Sequence, residues 1–329
     1  MLVSACNMQT SGKKAADINV RVGFNGILME FMKNTPPVKI FEDDAFPVII
    51  RLRNDGAYTI DKDKAVLSLG VEKDYTKALK LQTTERISRL DLGKQSSDEP
   101  AAFGLNGKTS LNPTGDYDVI SYNLQAGKVD PQSEAHASTV IATVCYPYQT
   151  ILDTTTCIDT DISSTKPGKK VCKMEDINFN GGQGGPVSVT RIEVNMLPTA
   201  VNEQTGDQKI KPQFLIFIEN MGKGNVIQNG VEKDYCTKSE VTHDKLNKIF
   251  VKASLGGKEL YCPTNRKDFS DEKKDGYVKL VDKKALARCI LTDGISRADE
   301  TYLSPLRIEL TYGYTQSILA NYFIQKATG

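Results

Sequence analysis

Two stretches of this chain carry apolar residues at every second position. In the first, Phe46, Val48, Ile50 and Leu52 alternate with residues free to face outward, and the run ends in Asn54-Asp55-Gly56. In the second, Phe214, Ile216 and Ile218 do the same, and the run ends in Asn220-Met221-Gly222. A period of two places alternate side chains on one face of a strand, so both stretches read as half-buried β-strands. Asn and Gly tolerate a positive φ, which predicts a turn of that kind after each strand. Further strands are expected within 20–24, 27–31, 66–69, 119–124, 187–194 and 277–281. Helical pattern is sparse, with short helices expected only in 239–253 and 283–289.

The two alternating runs are copies. Asn54 maps onto Asn220 and Gly56 onto Gly222 at an offset of 166 residues. The same offset places Tyr146-Pro147-Tyr148 on Tyr312-Gly313-Tyr314, and Val140, Ala142 and Val144 on Leu306, Ile308 and Leu310. Two widely separated matches without a net insertion between them indicate an internal duplication. The hexapeptide Gly-Val-Glu-Lys-Asp-Tyr occurs at 70–75 and at 230–235, an offset of 160. It is either shifted by an insertion or coincidental.

Short strands separated by turn signals predict an all-β chain of two tandem antiparallel β-sandwiches rather than α/β units. The expected organisation is a polar tether at 1–16, a sandwich at 17–160, a linker at 161–186 and a second sandwich at 187–329. The linker contains Ser163-Ser164-Thr165-Lys166-Pro167-Gly168 and Gly181-Gly182-Gln183-Gly184-Gly185-Pro186, both rich in breakers.

The segment Pro36-Pro37-Val38-Lys39-Ile40-Phe41-Glu42-Asp43-Asp44, leading into the Phe46 strand and Arg53-Asn54-Asp55-Gly56, resembles the CARDB immunoglobulin-like domains of prokaryotic surface proteins. This chain has Asp43-Asp44 where that family often has Glu-Gly, and its second half has Gly206-Asp207-Gln208 instead of an acidic turn. The resemblance implies an extracellular β-sandwich used in adhesion, display or assembly, and implies no enzymatic activity.

The cysteines bear on the compartment. Of seven, Cys6 stands apart, following Leu2-Val3-Ser4-Ala5 in a pattern that resembles the lipobox of bacterial and archaeal lipoproteins. Only five residues precede it, so the basic and apolar parts of a signal peptide are missing from this sequence. Cys6 is thus a candidate for lipidation. The other six form an even set, as disulfides would. Cys157 and Cys172 flank a polar stretch that a bridge would staple, Cys262 and Cys289 could close a loop, and Cys145 and Cys236 are left to join the halves. Six cysteines allow many other connectivities, and free thiols in a cytosolic protein are the rival reading.

Charge removes two classes of partner. Forty-two basic residues against 41 acidic ones give a net charge of +1, so no bulk field attracts nucleic acid or an anionic membrane. A membrane would be reached only through a lipid on Cys6. The two histidines, His136 and His243, are too few for histidine-rich zinc sites. No cofactor and no catalytic residue is indicated. Asp176-x-Asn178-x-Asn180-Gly181 opens like a calcium loop but has Val187 where a bidentate Glu is needed. Asp159 with Asp161, and the acidic run at 268–275, are the remaining oxygen clusters. The reading is a non-enzymatic extracellular surface protein whose partners are other surface proteins or copies of itself, assembled through strand edges into a filament or surface layer. The rivals are a calcium- or carbohydrate-dependent adhesion module and, behind that, an enzyme with carboxylate chemistry.

Overall fold

The computed structural model describes residues 19–78, 100–167, 169–204, 206–237, 242–263 and 276–327. The first half forms β1 (Ile27–Phe31), β2 (Lys39–Phe41), β3 (Ala45–Asn54), β4 (Ile60–Gly70), β5 (Thr76–Ala78), β6 (Ala101–Leu105), β7 (Tyr117–Ala126) and β8 (Ala135–Ile158). The second half forms β9 (Ile177–Asn178), β10 (Val187–Pro198), β11 (Lys209–Asn220), β12 (Asn225–Ile227), α1 (Glu232–Thr237), β13 (Lys248–Leu255), β14 (Lys258–Glu259), β15 (Tyr277–Lys279), β16 (Lys284–Ile290), β17 (Ile295–Ser296) and β18 (Tyr302–Gln325). The chain is all-β, and its sheets are antiparallel apart from the pairing of β2 with β18.

The described residues form three sheets. One is ordered β1-β3-β7-β5, a second β16-β11-β10-β9, and a third runs β14-β13-β18-β8-β4-β6 through both halves. The two sandwiches therefore share one sheet. Its centre is the ladder between the 24-residue strands β8 and β18, which pair from Tyr302↔Ile158 to Gln325↔Ala135. Pro147 pairs with Gly313, and the same two positions match in the duplication. A local two-fold axis accordingly passes between them. On one side β4 joins β8 with Leu67↔Val144; on the other β13 joins β18 with Val251↔Leu310.

The alternating runs behave as their period requires. Phe46, Val48, Ile50 and Leu52, and likewise Phe214, Ile216 and Ile218, are almost fully excluded from solvent. They belong to one buried apolar cluster that draws on both halves. The stretch 283–289 departs from expectation. It lies in β16, where burial alternates and Ala287 faces Ile216 of β11. The helix preference of Lys, Ala, Leu and Arg is a few tenths of a kcal/mol per residue, and the strand ladder overrides it. Residues 20–24 form bends rather than a strand. Among the described residues of the second half the helices are α1 and a single 3-10 turn at His243–Lys245, inside the region 239–253 expected to be helical, whose last six residues lie in β13.

Candidate binding groove

Between β11 and β13 the second half carries extra chain. Leu67 and Val251 are equivalent by pairing and lie 184 residues apart, whereas Asn54 and Asn220 lie 166 apart. The second half is thus 18 residues longer between β11 and β13, and α1 lies in that insertion. Residues 70–75 and 230–235 consequently fall at non-equivalent places, and the hexapeptide match is coincidental. The insertion leaves its own half and covers the outward faces of β4 and β8. The bridge Cys145–Cys236 holds it there, with a Cα separation of 6.0 Å. Glu232 is buried beside Gly313, and both its carboxylate oxygens accept the Gly230 N–H, at 3.0 and 2.9 Å. Burial raises its pKa against the opposing pull of its own N–H, the Gly230 N–H and Lys64.

Between the insertion and the sheet lies a groove of about 620 Å³. Its floor is a row of hydroxyls from three strands: Ser68 of β4, Thr143 of β8, and Thr315 and Ser317 of β18. Thr143 Oγ1 and Ser317 Oγ are hydrogen-bonded at 2.8 Å, and Ser68 Oγ lies 3.5 Å from the Thr143 carbonyl. Tyr235 and Leu246 form walls, with Lys223 and Asn225 at the rim. The rim is tied to the core, because Gly224 N–H donates to the Tyr314 hydroxyl at 2.7 Å and Gln316 Nε2 donates to the Ile27 carbonyl at 2.6 Å. Among the described residues the lining contains no Asp, Glu or His, and its one charged group is the Lys223 ammonium.

Below this floor the four repeated tyrosines meet at the local two-fold axis. Tyr146 stands against Tyr314 with ring centroids 5.7 Å apart, and Tyr148 against Tyr312 at 5.9 Å. The Tyr146 hydroxyl accepts the Ile27 N–H at 3.1 Å, and Tyr312 accepts the equivalent Val187 N–H at 3.2 Å. Tyr148 accepts the Tyr58 N–H at 3.3 Å, matching Tyr314 and Gly224. Burial pushes all four phenols above their ordinary pKa, Tyr314 up to about 12. They lock the sheets together and do not line the groove.

The other residues singled out in the sequence fall as follows. Cys157 is bonded to Cys172 and Cys262 to Cys289, while Cys6 and the acidic run at 268–275 lie outside the described residues. The carboxylate of Asp176 pairs with Arg191 at 2.9 Å, and Asn178 lies in the short strand β9. Asp161 accepts the N–H groups of Lys166 and Thr165, which hold its carboxyl at about 2, and Asp159 binds Lys170 at 2.6 Å. These two acids organise the loop closed by the Cys157–Cys172 bridge. Among the described residues no group of three His, Cys, Asp or Glu is placed to hold a metal ion. His136 Nε2 and Ser138 Oγ both bond the Glu72 carboxylate, at 2.9 and 3.1 Å, so the carboxylate separates the pair that nucleophilic chemistry would join. Sequence reasoning missed the groove, because its hydroxyls come from strands far apart in the chain and carry no motif.

No family model matches the chain, and no curated protein matches it. Among solved structures it is similar to a collagen adhesin from S. aureus, at 10% identity and a TM-score of 0.17, with 94% of this chain and 93% of that one covered. It is also similar to the Enterococcus faecalis MSCRAMM ACE, described as binding its ligands by the collagen hug model, at 9% identity and a TM-score of 0.17, covering 93% and 95%. At such scores neither likeness bears on what this chain does.

Proposed function

We propose that this chain is an exported, non-enzymatic binding module of a cell surface, in which residues 17–160 and 187–329 are the two repeats and 161–186 connects them. The observation that carries this reading is the groove. An insertion present in one repeat only is stapled by a disulfide across the other repeat and encloses a polar cleft. Three disulfides in one chain fit an oxidising compartment. The described lining, built of hydroxyls, amides, an aromatic ring and one ammonium, suits binding through hydrogen bonds. Cys6 and the CARDB-like segment around Asp43-Asp44 fit a lipid-anchored prokaryotic surface protein whose partners are other surface proteins.

The test is protease treatment of intact cells, paired with intact mass before and after reduction. Peptides of this chain should be shed from whole cells, and reduction should add two hydrogens for each of the three bridges. A protein shielded until lysis and unchanged by reduction would end this reading.

A second reading, assembly with copies of itself, is favoured by one feature. Ile141, Leu319 and Phe323 project outward from the far end of the β8–β18 ladder, 44%, 64% and 44% exposed. The positions related to Ile141 and Leu319 by the two-fold axis, Arg307 and Asp153, form an ion pair there, with Arg21 also bound to Asp153. Sedimentation of the purified chain across concentration distinguishes the readings: sharp self-association lost in Leu319→Asp supports assembly, and a persistent monomer opposes it.

A further inference from the structure

We propose that the groove beside α1 is a binding site for an acidic oligosaccharide, a chain of sugar rings carrying a carboxylate or sulfate. The proposal rests on the reading of the chain as a surface binding module and adds the chemistry of its ligand.

The floor supplies the first reason. Ser68 pairs with Thr143, Thr143 with Ser317, Cys145 with Thr315, and Thr315 with Asn225. At Thr143 and Thr315 the floor strands are paired on both sides. A ligand resting there meets side chains, whereas a bound peptide strand draws on unpaired backbone groups at a sheet edge. The floor offers hydroxyls, each able to donate one hydrogen bond and accept others. A sugar ring presents the same groups in return. The Thr143–Ser317 bond leaves acceptor capacity on both oxygens, so the row remains competent to bind.

Charge supplies the second. Among the described lining residues the one charged group is the Lys223 ammonium, and a carboxylate or sulfate beside it makes a charge-assisted hydrogen bond. The described lining offers hydroxyls, amides and an ammonium, groups that bind a sugar directly. Tyr235 gives the apolar face of a ring a flat surface with a polar tip.

Rigidity supplies the third. A ligand held by exposed hydrogen bonds gains little from each, so the site must not lose entropy on binding. The Cys145–Cys236 bridge fixes one wall, and the Gly224–Tyr314 bond fixes the rim opposite. The volume of about 620 Å³ falls within the range of small-ligand sites, roughly 300–1,000 Å³.

The experiment applies the full chain to an array of immobilised uronate-, sialate- and sulfate-bearing oligosaccharides with their neutral counterparts, followed by calorimetry on the best acidic binder. Retention of acidic glycans is expected, unchanged by a chelator. Lys223→Gln should weaken the acidic glycan about tenfold while leaving the neutral counterpart as it was, and Thr143→Val should weaken both by a similar factor. Thermal melting and intact mass establish that both variants are folded and bridged. An array without an acidic binder overturns the proposal, as does acidic binding indifferent to both substitutions. Retention of immobilised gelatin that Thr143→Val abolishes assigns the groove to a peptide and also overturns it. Each of these outcomes leaves the surface-module reading intact, because shedding from whole cells and the mass shift on reduction do not depend on the groove.

Discussion

Gly56 and Gly222 close the two core strands at equivalent positions, and neither has a positive φ. What each needs is space. A Cβ on Gly56 would overlap the Tyr148 hydroxyl, and one on Gly222 would overlap the Tyr314 hydroxyl. The Asn two residues earlier closes the turn through its side chain. Asn54 Nδ2 donates to the Tyr58 carbonyl at 2.8 Å and Asn220 Nδ2 to the Gly224 carbonyl at 2.9 Å. Each Oδ1 accepts the glycine N–H at 3.1 Å. The Asn-x-Gly signature was thus legible in the sequence, but its cause was not, since the tyrosine that demands the glycine lies about 90 residues further on. Gly222→Ala is expected to cost about 1–3 kcal/mol through overpacking. Tyr314→Phe should cost about 1–3 kcal/mol by leaving the buried Gly224 N–H without its acceptor. Removing the hydroxyl makes room for the methyl group, so the double variant should lose less than the sum of the two. Denaturant unfolding of the four proteins gives that coupling, and strict additivity would mean that Gly222 and Tyr314 do not compete for the same space.

At the scale of elements, the insertion between β12 and β13 has little to hold it except what it covers. Its helix α1 is six residues long, too short for stability of its own. It persists because Glu232 is seated against Gly313 and Cys236 is bonded to Cys145. The sequence displayed the cysteines but left their partners open, and it placed helix at 283–289, where the strand β16 lies. Alternating burial in that segment was hidden, because Ala285 and Ala287 carry too little apolar surface to mark a strand face. The bridge closes a separation of 91 residues, so replacing both cysteines by Ser should remove about 2–4 kcal/mol of stability. The loss should be local in its consequence. Amides of 230–237 should exchange faster, while those of β8 and β18, paired on both strands, should hold their protection. Hydrogen exchange read by mass spectrometry resolves the two regions. Equal loosening of the β8–β18 ladder would show that the bridge supports the sheet rather than the groove wall.

At the scale of the whole molecule, the duplication reads in sequence as two bodies joined by a linker, and the structure joins them instead through a common sheet. The part of β8 beyond the tyrosines, residues 149–158, pairs with β18 and packs into the second half, a role that a repeat match ending at Tyr148 could not reveal. The four tyrosines stand at the junction, which makes them a trigger for cooperative unfolding. An unfolded tyrosine ionises near pH 10. In the folded protein burial raises all four, Tyr314 to about 12 and Tyr146 and Tyr312 well above the ordinary value. A raised folded pKa means that the native state holds its proton longer than the unfolded chain does. The stability this contributes is complete below pH about 10 and is lost as the pH climbs through the folded values. Stability should therefore be flat up to pH about 10 and fall steeply above it. Because the same phenols brace both sandwiches, loss of sheet signal and appearance of tyrosinate absorbance should coincide in one transition. Two separate alkaline transitions, or tyrosinate formed while the sheet signal stays whole, would mean that the halves unfold independently and that the shared strands β8 and β18 do not couple them.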